Sequence, residues 1–470
     1  MATRPPPPGT ASAAQAFPGS ATFADGWLTA VGGVDVRVLA ARFGTPLYVI
    51  DAAELRGRMH AWRTAFAGWN VAYASKALCV TGVLQLAVRE GLAVDVASAG
   101  ELATAQRAGV PGARLILHGN NKSVTELELA ADAGVGRVVV DSFDEFDRMA
   151  TVAQRRGHTF DVLLRVTPGV DTSTHAYIRT GHDDTKFGFT LSTGLAAEAV
   201  QRAVKQPGVR LRGLHCHLGS QLLTTEVFTR AAGIMTAFLA EMGDLHGQRF
   251  DELNLGGGLG ITYTDERPVD VSEHGAALRE AVAAGVRRFG LPPLRLTVEP
   301  GRAIVGPAGL TLYEVGTVKA LDGGRTYVSV DGGMSDNLRP ALYGARHRFV
   351  PAGASRAGPS RGMDVVGKHC ESGDLLGRDV ELPAELAPGD LLAVGATGAY
   401  THAMASNYNR LPRPAMVLVS DGRAQLLVRR ETLDDVLERD QVLADDVLDD
   451  APPDDAPAPD RVHADDAYTR

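Results

Sequence analysis

The chain has 470 residues, 45% of them hydrophobic and 22% charged, which excludes disorder of the whole and leaves length for one large core and a second domain. A formal net charge of -9 offers no general attraction to phosphate backbones or anionic lipid, so neither nucleic acid nor a membrane is an expected partner. Cys79, Cys216 and Cys370 form neither a disulfide framework nor C-x-x-C spacing, so no metal is expected; with no signal-peptide core and no apolar run of ~18 residues, the reading is a soluble cytoplasmic protein.

Residues 1–21 are proline-rich and are expected to be a disordered leader. Residues 22–51 read as strands (WLTAVGGVDV, PLYVID) that join a β domain formed mainly later in the chain. Across residues 52–305 a short β-branched or apolar run is followed, eight times over, by a stretch of helical period such as Leu84 to Glu90 or Thr125 to Ala133. The runs begin at Val71, Leu92, Arg114, Arg137, Asp161, Arg210, Glu252 and Leu294. A doubly wound open sheet would alternate in the same way, but these runs end in polar chemistry: Lys76, Asp95 and Ser98, His118, Asp141, Arg165, His217, Gly256 to Gly258, and Glu299. Barrels build their sites from the C-terminal ends of the strands, so the expected fold is α/β, a (β/α)₈ TIM-type barrel. Over residues 306–435 strand and turn signals replace the helical period and predict a second, mostly β domain, a β-barrel or sandwich. The composition of residues 345–362 permits a mobile lid, and the Asp- and Pro-rich residues 444–470 are expected to be a disordered acidic tail.

The glycines of LGGGLG after the seventh strand and the Glu299-Pro300-Gly301-Arg302 turn after the eighth lie where barrels commonly hold a phosphate. Lys76 then becomes a candidate amine for a carbonyl cofactor, its pKa expected to fall through desolvation in the barrel mouth. A carboxylate such as Glu299 can keep a pyridine nitrogen protonated, so that the ring withdraws electrons from a substrate carbanion; an ion pair between Glu299 and Arg302 is the plainer alternative.

Seven runs, YASKA, HCHLGSQ, GGGLG, EPGR, DGGMSDNLRPALY, CESGD and GAY, stand in an order that resembles the diaminopimelate decarboxylase family from about Tyr48 to Arg430. The family pairs an alanine-racemase-like barrel with a β domain and uses pyridoxal 5'-phosphate. The resemblance implies that Lys76 carries the cofactor as a Schiff base, that His217 packs on its ring and Asp95 lies close by, and that Glu299 protonates the pyridine. It further implies that Ser220, Gly257, Gly258, Pro300, Gly301, Arg302 and Tyr400 form the phosphate side. His215 is expected to be a satisfied core histidine, on the argument that only one of the pair can face the ring.

For a substrate that is an amino acid at both ends, the resemblance gives the distal carboxylate to Arg302, Arg339, Tyr343 and Tyr400, the distal ammonium to Glu371, and reprotonation of Cα to Cys370. It also implies a homodimer in which the Cys370–Glu371 loop enters the neighbouring site and Lys186 pairs with Asp374 across the interface. Departures are small: Leu78-Cys79 follows Lys-Ala, and Ala303 follows EPGR. The expected reaction is decarboxylation of meso-2,6-diaminopimelate to L-lysine and CO2, with ornithine, arginine or carboxynorspermidine as alternative substrates. A racemase would place arginine rather than Glu299 at the pyridine, and a non-catalytic binder would be expected to lose Lys76 or Cys370.

Overall fold

The computed structural model describes residues 15–170 and 186–444; the leader up to residue 14 and the tail from residue 445 lie outside them. Eight parallel strands form the centre: β1 (Asn70–Ala74), β2 (Ala93–Val96), β3 (Leu115–Leu117), β4 (Arg137–Val140), β5 (Phe160–Thr167), β6 (Val209–His215), β7 (Glu252–Asn254) and β8 (Arg295–Val298). Each pairs with the next, and Thr297 of β8 lies opposite Asn70 of β1, so the sheet closes into the expected barrel. Strands buried on both faces need apolar residues at successive positions. Ala72, Ala93, Ile116, Val139 and Leu163 fill the barrel, while Val71, Tyr73, Val94, Val138 and Val162 pack outward in the main core.

One helix breaks the simple alternation. Only Arg302–Val305 follows β8, and Ala52–Ala65, which precedes β1, lies against it and against Val271–Phe289, occupying the eighth helical place. The Asp51 side chain caps that helix by accepting the Glu54 N–H at 2.6 Å. Asp51 also ends the strand Leu47–Asp51, which pairs antiparallel with Gly309–Ala320 and parallel with Ala415–Ser420. Trp27–Val31 joins Phe349–Ala352 in the same sheet, so residues on both sides of the barrel in sequence build one mixed β layer.

Two expectations change. Ala16 and Phe17, placed in the leader, are buried, and the Phe17 ring meets Phe23 edge-on at 5.6 Å; packing therefore begins ahead of Thr22. The segment 345–362 is in part fixed: Phe349–Ala352 is a buried strand paired with Leu391–Val394, Ser360 begins another strand, and the residues between them are mostly exposed.

His274 shows how burial sets the acid limit of this fold. Its ring sits among Trp62, Phe66 and Phe228, and burial pulls its pKa down to about 4. The unfolded chain takes up a proton near pH 6.5 that the folded chain refuses, so this stability is present above pH 6.5 and lost as pH falls towards 4, up to about 3 kcal/mol. Replacing His274 by Leu should flatten the fall in thermal midpoint between pH 7 and pH 4.5, read by circular dichroism melts at each pH.

Candidate active site

The C-terminal ends of the strands converge on a cavity of about 360 Å³. Another cavity, of about 610 Å³ beside residues 344–349 and 375–381, is larger, but no barrel strand ends there, so converging chemistry and not volume selects the site.

Lys76 follows β1 in a single turn of 3₁₀ helix, Ser75–Ala77, which aims its side chain into the cavity. Its side chain is exposed at the cavity wall. Burial alone would lower its pKa, but Tyr400, Asp95 and Glu299 outweigh that and raise it. The expected depression is therefore corrected: in the protein alone the amine is an ammonium, because the sequence reading counted desolvation and left out the acidic neighbours. Asp95 shows the converse, its carboxyl pushed well up by burial and by Glu299.

Glu299 follows β8 and is 5% exposed. Its Oε1 accepts from His118 Nε2 at 2.8 Å and Asn254 Nδ2 at 2.6 Å, and its Oε2 accepts from His215 Nε2 at 3.1 Å. Burial would raise this carboxyl, but the bonds from His118 and His215 overcome it and keep Glu299 ionised. Both imidazoles stay neutral donors, since burial lowers His118 and brings His215 to about 4. The alternative, an ion pair of Glu299 with Arg302, does not form among the described residues: Arg302 donates from Nε and Nη2 to the Ser220 hydroxyl at 3.2 and 2.9 Å, and from Nη1 to the Tyr263 hydroxyl.

His215 is a buried core histidine whose Nε2 is satisfied by Glu299. Positions 215 and 217 lie two apart at a strand end and share a face, so both point inward: His215 reaches Glu299, while His217 faces the cavity. The His217 Nδ1 accepts the Gly257 N–H at 3.2 Å, and burial keeps the ring neutral.

The glycine turns are tight for steric reasons. A Cβ on Gly257 would stand 2.0 Å from the Glu299 carbonyl oxygen, and Gly258 has φ +122°, where L side chains are strained. Gly258 and Gly301 line the cavity wall beside Ser220, and the Pro300 carbonyl accepts the Ala74 N–H, fastening β8 to β1.

Arg339, Tyr343 and Tyr400 reach the same cavity from the β domain. The Arg339 guanidinium lies 5.2 Å from the Tyr263 ring and 5.6 Å from Tyr343, and its Nε has no hydrogen-bond partner among the described residues. Arg302 lies over the same Tyr263 ring at 5.7 Å and over Tyr400 at 4.7 Å.

Cys370 and Glu371 do not line the cavity of their own chain; both are exposed. Asn409 Oδ1 accepts the Cys370 N–H at 3.1 Å and is bonded to His369 Nδ1 at 3.2 Å. Asp374 is buried and accepts the Met334 and His369 N–H groups at 2.6 and 2.9 Å, an anchoring of the loop that the sequence reading did not foresee. The Lys186 Nζ lies 4.9 Å from the Phe187 ring centre.

His118, Asn254, Arg165 and Tyr263 were not singled out from sequence as site residues. His118 and Arg165 had been noticed as strand ends, and Asn254 carried the same signal as the last residue of β7. Arg165 lines the cavity and pairs with Asp141 at 3.6 Å.

Residues 52–306 match the family described as pyridoxal-dependent decarboxylase, pyridoxal binding domain. The diaminopimelate decarboxylase of Bacillus subtilis (strain 168) is 46% identical over 415 residues, covering 87% of this chain and 94% of that protein. That of Actinosynnema pretiosum is 48% identical, covering 87% and 92%. The crystal structure of diaminopimelate decarboxylase from M. jannaschii in co-complex with L-lysine superposes with a TM-score of 0.84 at 32% identity, covering 90% of this chain and 98% of that one.

Proposed function

The chain belongs to the diaminopimelate decarboxylase family of pyridoxal-dependent decarboxylases, and we propose that it removes CO2 from meso-2,6-diaminopimelate to give L-lysine, the last step of lysine biosynthesis. Pyridoxal 5'-phosphate is its cofactor. The donors present suit that group: an amine at Lys76, an ionised carboxylate at Glu299, and glycine turns with the Ser220 hydroxyl. Bound, it supplies an electron sink for the charge left on Cα when CO2 departs.

Lys76 would hold the cofactor, with His217 against its ring, Asp95 close to Lys76, and Glu299 keeping a proton on the ring nitrogen. Ser220, Gly257, Gly258, Pro300, Gly301, Arg302 and Tyr400 would surround the phosphate. The observation that carries the choice of substrate is the pair of guanidiniums of Arg302 and Arg339 at one cavity wall, a site for a second carboxylate. Tyr343 would close that side, and Glu371 would take the distal ammonium.

The reaction consumes one proton at Cα, and the Cys370 thiol would deliver it. Because Cys370 and Glu371 lie outside their own chain's cavity, the working form is a homodimer in which each loop completes the partner's site, with Lys186 adding a pair to the already anchored Asp374. No helix among the described residues is long and apolar enough to cross a membrane. The cytoplasm, which keeps an exposed thiol reduced, suits Cys370.

CO2 release from meso-diaminopimelate, ornithine and arginine tests the reading, and preference for a substrate without a distal carboxylate would reject it. Arg339→Ala should raise KM for meso-diaminopimelate about 10- to 100-fold, the loss of one charge-assisted contact, with a smaller effect on kcat.

A further inference from the structure

We propose that Asn254 is a positioning residue for the cofactor: its carboxamide ties the Glu299 carboxylate to the glycine turn at Gly256 and leaves one acceptor position, on Oε2, for the ring nitrogen. The inference rests on the assignment of Glu299 to that nitrogen.

Asn254 closes β7 and is 1% exposed. Its Nδ2 donates to Glu299 Oε1 at 2.6 Å, and its Oδ1 accepts the Gly256 N–H at 2.9 Å. An amide nitrogen only donates and an amide oxygen only accepts, so rotating the group by half a turn would break both bonds. The side chain therefore has one orientation, and through it the carboxylate and the first glycine of the turn hold a fixed separation.

Counting acceptor positions gives the second half of the argument. A carboxylate has about four lone-pair positions, two on each oxygen. His118 and Asn254 use both on Oε1, and His215 uses one on Oε2. The His215 Nδ1 has no hydrogen-bond partner among the described residues, so the neutral ring carries its proton on Nε2 and donates. What is left on Glu299 is one position, on Oε2. Of the three donors, Asn254 is the one that cannot change protonation and whose far end reaches the glycine turn.

Asn254→Asp separates the two bonds: it keeps an acceptor for the Gly256 N–H but faces Glu299 Oε1 with an acceptor in place of a donor. The experiment loads wild type, Asn254→Asp and Glu299→Gln with pyridoxal phosphate. It measures cofactor Kd, the pH midpoint of the visible absorbance, kcat and KM for meso-diaminopimelate, and thermal midpoint. In Asn254→Asp we expect cofactor affinity and kcat each about tenfold lower, KM little changed, and the absorbance midpoint moved in the same direction as in Glu299→Gln. A lower thermal midpoint with unchanged absorbance midpoint and kcat would make Asn254 merely structural and overturn the inference. If Glu299→Gln itself moves neither absorbance midpoint nor kcat, the Glu299 assignment fails instead. Should Asn254→Asp not fold, Asn254→Ser, which removes both bonds without adding charge, is read against the same outcomes.

Discussion

Lys76→Ala should abolish the lysine adduct that pyridoxal phosphate forms with the wild-type enzyme, read as loss of its absorbance band, and lower kcat by at least about 10⁴-fold, while the thermal midpoint of the protein alone changes little. The loss is large because the lysine is the one amine at the cavity wall among the described residues, and no neighbour can replace it. Stability is spared because the side chain projects into open space and its removal leaves no packed void. Asp95 and Glu299 respond as well. The ammonium favours the ionised form of both carboxyls, so its removal raises Asp95 further and withdraws one support from Glu299, which the bonds from His118 and His215 still hold ionised. Absorbance spectra, single-turnover assays and melts of the two proteins check all three parts.

The second large effect is expected at Cys370. Cys370→Ala removes the proton donor for Cα and should lower kcat by about 10²- to 10⁴-fold, the usual share of a general acid, with cofactor affinity intact. Its position predicts more. If each loop serves the partner's cavity, subunits carrying Lys76→Ala and subunits carrying Cys370→Ala, unfolded together and refolded, regain activity: half the dimers are mixed, each has one site with both residues, and the recovery is about a quarter of wild type. No recovery, with dimers confirmed by sedimentation, would place Cys370 in its own chain's site.

Much of this is legible in the amino-acid sequence. The eight apolar runs fall on the eight strands because a barrel strand, buried on both faces, shows itself in consecutive apolar residues. Lys76 and Glu299 were legible because strand ends of a barrel point to its mouth. His118, Asn254 and Tyr263 were not, since their roles exist through partners 181, 45 and 39 residues away, pairings that closure of the barrel creates and local pattern does not carry. The same limit misjudged Lys76, whose neighbours Tyr400 and Asp95 come from different parts of the chain. His215 was legible as a buried histidine, but its bond to Glu299, 84 residues away, was not. The helix Ala52–Ala65 was covered by the expected barrel range, but nothing in its own residues tells that it takes the place of a helix missing after β8.

That helix bears on how the protein can be rebuilt. Asp51 is at once the last residue of a strand in the mixed sheet and the cap of the helix that completes the barrel's outer ring, and its N–H donates to the Ala308 carbonyl, where the chain returns to the sheet. Both crossings between the halves of the molecule therefore meet at one point. Recombination with a homologue that exchanges one half must replace both crossings together, because a crossover at one alone sets the Asp51 N–H and its strand against a foreign segment at Ala308 and Gly309–Ala320.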